Sequence, residues 1–210
     1  MISVPAGRRR RQYADRPACR LCDLPAWWNG TRTVSSILKA SDGVEHVTDM
    51  LRRRARCCSA DCPAKDWTVY EDGAYPHRTF QLDVVADAVI EVDTRPMTAV
   101  AATHACSRDS VRRWRGWVAA LADPRDLQQL NARIDPDAVV VALPASSPGA
   151  VVLRYLERLA DLFAIRGVAL PRAASGLTRL LRHQFDRFGD VFHLTKFSPP
   201  LRADLLGAGL

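Results

Sequence analysis

The chain has 210 residues, of which 48% are apolar and 25% charged, and a formal net charge of +7. This is the composition of a folded protein of one medium domain or two small ones, and it excludes a disordered chain, a collagen-like repeat and a small disulfide scaffold. Of the 30 basic residues all but Lys39, Lys65 and Lys196 are arginine. A GC-rich genome explains that bias as well as nucleic-acid binding does, so the position of the charge carries more than its total.

Residues 1–56 hold 12 basic and 5 acidic residues, and the remainder holds 18 of each, so the whole surplus is N-terminal. Arg8, Arg9, Arg10 and Arg11 form one run, and Arg52, Arg53, Arg54 and Arg56 form another. Such runs are electrostatic footprints for phosphate backbones; a solvated arm and a charged strand edge are the plainer reading. Residues 1–14 read as a basic disordered arm. No apolar core follows Arg11, so no secretory signal is expected. The longest uncharged stretch, Ala138–Leu153, has 16 residues and is broken by Pro144, Pro148 and Gly149, too short and too interrupted to span a bilayer. A cytoplasmic, nucleoid-associated location is the expectation, and there paired cysteines serve as metal ligands more often than as disulfides.

Cys19 and Cys22 form a C-x2-C element, and Cys57 or Cys58 pairs with Cys62. Two short turns with two thiolates each supply the tetrahedron that Zn2+ takes, one ion per chain. His46 and His77 are reserve ligands, and Cys106 reads as a core residue. Between the pairs, residues 31–38 predict a strand and Ser41-Asp42-Gly43 a turn. A return strand runs through Leu51–Arg56, while Val44–Leu51 fit a helical turn as well as a strand. The zinc ribbon is bounded at 15–72.

A three-helix unit is expected over 78–121. Phe80–Val92 has apolar residues at 82, 85, 86, 89 and 90, on one helical face. Residues 98–118 fit a helix-turn-helix: Ala101 at the close approach, Ala105 in the turn, Cys106, Val111 and Trp114 on the buried side, and Ser107 as N-cap. The second helix then exposes Ser107, Arg108, Ser110, Arg112, Arg113 and Arg115, whose type and placement suit guanine edges and phosphates in a major groove. Trp114 and Trp117 read as packing residues. Residues 122–149 contain four prolines and read as short helical pieces and a linker. Residues 150–210 form a helical C-terminal region, with amphipathic helices over Val151–Ile165 and Ser175–Phe188. These extend the core or form a homodimer or partner interface.

The order Cys19-x2-Cys22, Asn29-Gly30-x-Arg32, Arg56-Cys57-x4-Cys62-Pro63, Trp67-Thr68-Val69, Tyr75-Pro76 and a helix-turn-helix resembles the zinc-ribbon and helix-turn-helix head of bacterial insertion-sequence transposases. It equally resembles small stand-alone proteins of unknown function that share that head. The resemblance covers about residues 15–120 and implies Cys19, Cys22, Cys57 and Cys62 as ligands and the helix around Arg108–Val118 as the DNA reader; Cys58 departs from the pattern. The family's ribonuclease-H-like catalytic part has no counterpart, since the residues after Val118 show no run of strands ending in aspartate, so no enzymatic activity is expected.

The sequence therefore predicts a mainly α fold with a small N-terminal β zinc ribbon, and a helix-turn-helix bundle followed by C-terminal helices. Its expected function is zinc-dependent binding of double-stranded DNA, associated with a mobile element or with regulation. The competing reading is an adaptor that docks on a recombinase, a transposase or another partner through the zinc ribbon and the C-terminal helices.

Overall fold

The computed structural model describes residues 16–19, 21–70, 73–75, 78–136 and 146–188, with residues 187 and 188 described by backbone alone. The basic arm with Arg8, Arg9, Arg10 and Arg11, His77, residues 137–145 of the expected linker and everything after 188 lie outside the described residues.

The N-terminal region is mostly a long hairpin. Strand β1 spans Ala26–Ala40 and β2 spans Gly43–Cys57; they pair antiparallel, and the short β3, Asp66–Thr68, adds to the free edge of β2. Among the described residues six helices follow: α1 Leu82–Glu91, α2 Met97–Thr103, α3 Arg108–Ala119, α4 Pro124–Ile134, α5 Pro148–Ile165 and α6 Gly176–Phe188. The expected fold class, mainly α with a small ribbon, is thus corrected to a three-stranded antiparallel sheet joined to six helices. The physical reason lies in residues 44–51, which continue β2 instead of coiling. The turn at Ser41-Asp42 falls where expected, with Gly43 at φ 148°.

Two bulges explain why strands of 15 residues do not show clean alternation. The register slips between Trp28 and Thr31, where Gly30 has φ 86°, and again between Val34 and Ser36, opposite Asp49 at φ 59°. Each bulge places an extra residue on one strand and shifts which residues face inward. Residues 29–33 of β1 are exposed on both faces, and so are Thr48, Asp49 and Leu51 of β2. This stretch is a two-stranded ribbon open to solvent.

The hairpin is seated on the helices near its turn. Ile37 donates its N–H to Thr79 O at 2.8 Å, and Gln81 N–H donates to Ile37 O at 2.9 Å. Ser36 Oγ donates to Thr79 O at 3.0 Å, and Lys39 Nζ lies 2.7 Å from Asp87 of α1. Phe80 then packs its ring edge-on against Trp114 of α3, with centroids 4.7 Å apart.

The helices share one apolar core. Leu82, Val85 and Val89 of α1 meet Val111 and Val118 of α3, Leu127 of α4, Leu156, Leu159 and Phe163 of α5, and Leu177 and Leu181 of α6. Helix α4 lies within the segment read as short helical pieces and a linker. Asp123 caps it by accepting from Arg125 N–H at 2.8 Å, Pro124 opens its first turn, and Leu127 and Ile134 are buried. Helices α5 and α6 cross at backbone contact: a Cβ on Gly176 would lie 2.5 Å from Glu157 Cα and 2.7 Å from Leu156 O. Buried Asp83 of α1 accepts from Ser175 N–H at 3.0 Å and from the hydroxyls of Ser175 and Thr178, tying the start of α6 to α1. Buried Arg182 donates to Ala74 O at 2.9 Å and Tyr70 O at 3.2 Å, which fixes the sheet-to-helix connection against α6. No helix among the described residues is long and apolar enough to cross a membrane.

Candidate metal centre

Four cysteines meet at the open end of the hairpin. Two come from the turn that leads into β1, one from the last residue of β2 and one from the loop between β2 and β3. In the first turn, Asp23 N–H donates to Cys19 O at 2.8 Å, and Cys19 N–H to Leu24 O at 2.8 Å. Asp23 itself sits in the left-handed region at φ 55°, a conformation that Asp tolerates better than most residues. In the second, Cys57 N–H donates to Lys65 O at 3.1 Å and Cys62 N–H to Ser59 O at 3.4 Å. Asn29 Nδ2 donates to Asp66 Oδ1 at 2.6 Å across the two halves.

The Sγ atoms of Cys19, Cys22, Cys57 and Cys62 all lie within 4.8 Å of one another. Cys19 is 3.7 Å from Cys62 and Cys22 is 3.5 Å from Cys57. Disulfide sulfurs sit about 2.05 Å apart, and all six cysteines are free thiols. A tetrahedron with metal–sulfur bonds of about 2.3 Å has edges of about 3.8 Å. The two shortest separations fall close to that edge, so these four side chains could hold one metal ion.

Their surroundings favour thiolate at Cys19 alone. Burial opposes ionisation of Cys19, but N–H groups of Leu21 and Cys22 and the thiols of Cys22 and Cys62 outweigh it and lower its pKa to about 7. Cys22 receives the N–H of Leu24, Cys57 that of Ser59 and Cys62 that of Ala64, yet burial and neighbouring sulfurs leave all three raised above the ordinary 9.0. Four thiols this close cannot all ionise alone, because each new charge meets the others. A divalent cation removes that repulsion and takes the remaining thiolates.

Cys58 is exposed and stands outside the cluster, which leaves Cys57 as the partner of Cys62. His46 is exposed on β2 opposite Ile37, at the other end of the hairpin. Cys106 packs against the helical core, and burial raises its pKa.

The expected DNA-contacting residues fall on two elements. On β2, Arg53 and Arg54 are exposed, and Arg53 lies over the Trp28 ring with its Cζ 4.9 Å from the centroid. Arg52 is only 6% exposed and lies against Tyr70, so it faces inward, away from any phosphate. On the helices, α2 and α3 are joined by a tight turn in which Ala105 takes φ 47°. Ser107 caps α3 by accepting from Ser110 N–H at 3.0 Å. Val111, Trp114 and Val118 form its buried side. Ser107, Arg108, Arg112, Arg113 and Gly116 are exposed; Ser110 and Arg115 are half-buried. Arg112 pairs with Asp109 at 3.0 Å.

Comparison with protein-family models, curated proteins and solved structures finds no match to this chain. Its chemistry is therefore read from its own residues. One group escaped the sequence reading: Arg78, which reaches the flank of α3. The signal was weak, a lone arginine two residues before Phe80.

Proposed function

We propose that the chain is a zinc-containing protein that binds double-stranded DNA, serving a mobile element or acting as a regulator. The observation that carries this reading is the outer side of α3. Ser107, Arg108, Arg112, Arg113 and Gly116 lie exposed together on a helix that follows a tight turn and is anchored by Val111, Trp114 and Val118. Among the described residues Arg108 and Arg113 have no carboxylate partner. A Cβ on Gly116 would touch nothing within 4 Å, so the middle of this side is low and open. A helix of this form can enter a major groove, with arginines bidentate to guanine or to phosphate.

Zinc is the metal this donor set suits best. Four thiolates in a closed tetrahedral arrangement, held by two turns, match a structural zinc site, and no position is left open for catalysis. The ion would hold the β1 and β2 ends together and steady the exposed Arg53, Arg54 and Arg56 as a second contact with the DNA backbone.

The alternative is an adaptor. Leu21, Leu24 and Trp27 are each nearly half exposed beside the metal site, an apolar surface that a partner protein, a recombinase or transposase, would cover. The Arg112→Ala, Arg113→Ala double variant separates the two. A DNA-binding protein loses duplex affinity in a gel shift with zinc-loaded protein, whereas an adaptor keeps its partner in a pull-down at high salt and after nuclease treatment.

A further inference from the structure

One flank of α3 carries a cavity of about 280 Å3, lined by Arg78, Phe80, Ser110, Arg113, Trp114 and Trp117. Residues 110, 113 and 117 are successive positions on one side of the helix, adjoining the exposed side that carries Asp109, Arg112 and Gly116. The cavity's polar side chains are two guanidinium groups and one hydroxyl, with no carboxylate among them. Arg78 has its Cζ 4.3 Å from the centroid of the Trp117 ring. That stacking fixes the guanidinium plane, and burial beside the ring lowers the group's pKa without neutralising it. Among the described residues Arg78 has no ion pair. Arg113 uses its Nε to donate to Asp109 O at 3.3 Å, which leaves its terminal nitrogens for another acceptor. Half-buried Arg78 and exposed Arg113 line one cavity whose lining holds no carboxylate, so the two cations repel one another, and an oxyanion between them relieves this.

We propose that this cavity is a phosphate-binding site that takes one backbone phosphodiester of the bound DNA. Arg78 and Arg113 hold its oxygens, Ser110 Oγ donates a further hydrogen bond, and Trp117 positions Arg78. The inference rests on the DNA-binding reading, because a helix lying in a groove brings a phosphate strand along its flank. A pre-set arginine fork is the side chain best matched to that group, since it offers parallel N–H donors at fixed spacing. This phosphate contact sits apart from any base contact made by Arg108 or Arg112, so it strengthens binding to all sequences alike.

The test is a salt titration of duplex-DNA affinity with the full zinc-loaded chain, comparing wild type, Arg78→Gln, Arg78→Lys and Arg113→Gln. A control variant, Arg133→Gln, lies on the exposed side of α4. Each phosphate contact contributes about 0.9 to the slope of log K against log salt. Arg78→Gln and Arg113→Gln should each lower the slope by about one and weaken binding about 5–10-fold at 0.1 M salt. Arg78→Lys should recover the slope but only part of the affinity, and Arg133→Gln should match wild type. Wild-type binding with an unchanged slope in both glutamine variants overturns the phosphate site and leaves the DNA-binding reading standing. No wild-type binding at low salt overturns both. Inorganic phosphate is the second arm, followed by 31P line broadening. If it binds tightly and Arg78-dependently while DNA does not bind, the cavity serves a free anion and the proposal fails.

Discussion

Replacing Cys19 by serine removes one sulfur of the cluster and tests what holds the open end of the hairpin. The apolar material there is small: Cys19, Cys57, Cys62 and Ala64 are buried, and Trp67 packs partly against them. At about 25 cal/mol per Å2, burying these groups contributes about 3–5 kcal/mol. Ordering the backbone of segment 58–65 alone costs about 8–16 kcal/mol at about 1–2 kcal/mol per residue. Packing therefore cannot hold this loop. A four-thiolate zinc site contributes about 10–16 kcal/mol, which covers the difference. The expected result for Cys19→Ser, or for wild type after chelation, is loss of amide hydrogen-exchange protection over residues 18–30 and 53–68. The helices should keep theirs, because their core of Leu82, Val111, Leu156, Phe163 and Leu181 is separate from the cysteine cluster. Native mass spectrometry should show one zinc in wild type and none in the variant. A metal-free wild type that keeps full protection around Cys57–Lys65 would refute the reasoning.

Three further outcomes follow from local geometry. Ala105 sits at φ 47°, where a Cβ is strained by about 1–2 kcal/mol; Ala105→Gly should stabilise the fold by about 0.5–1 kcal/mol after its greater unfolded-state freedom is counted, read as a rise in denaturation midpoint. Gly176→Ala places a methyl 2.5 Å from the Glu157 backbone, and thermal unfolding should show a loss of about 2–3 kcal/mol as α5 and α6 are forced apart. The pKa of Cys19 is lowered to about 7 while those of its three partners are raised above the ordinary 9.0, so zinc uptake at pH 7 should release about three to four protons, measurable by calorimetry in buffers of different ionisation enthalpy. The sign for the metal-free fold follows: the lowered Cys19 pKa contributes stability above about pH 9 that is lost as pH falls through about 7. The three raised thiols act the other way, contributing below their ordinary pKa and losing that contribution as pH rises. Release of fewer than two protons would contradict the four-thiolate site.

The cluster of four cysteines was legible because cysteine spacing survives any detail of the strands between the pairs. C-x2-C and Cys57-x4-Cys62 each need only one turn, and the Ser41-Asp42 reversal brings those turns together. The choice between Cys57 and Cys58 was not readable from spacing; alternation along β2 decides it, since Cys57 faces in and Cys58 faces out. Strand length was hidden by the Asp49 bulge, which shifts the inward face by one residue and gives Val44, Val47 and Leu51 the spacing of a helix. The extent of helix α4 was masked by the prolines around it, although Asp123-Pro124 is a cap followed by an N1 proline and Leu127 and Ile134 are seven apart on one face. The inward turn of Arg52 was also hidden, because a basic run gives no sign of which member meets an aromatic ring such as Tyr70. The pair of helices α2 and α3 and the turn between them were legible through Ala101, Ser107, Val111 and Trp114. Its neighbour Arg78 was not, because the pairing of Ile37 with Phe80 brings it to α3.

The most direct test is the affinity of the zinc-loaded chain for duplex DNA, measured by fluorescence anisotropy from 50 to 200 mM salt. DNA binding through the β2 arginines and α3 predicts a dissociation constant of about 1 μM or tighter at low salt, rising steeply and linearly on a log–log plot. It also predicts loss of that binding in the Arg112→Ala, Arg113→Ala variant. No binding at 50 mM salt, or an affinity indifferent to salt and to those arginines, would contradict it.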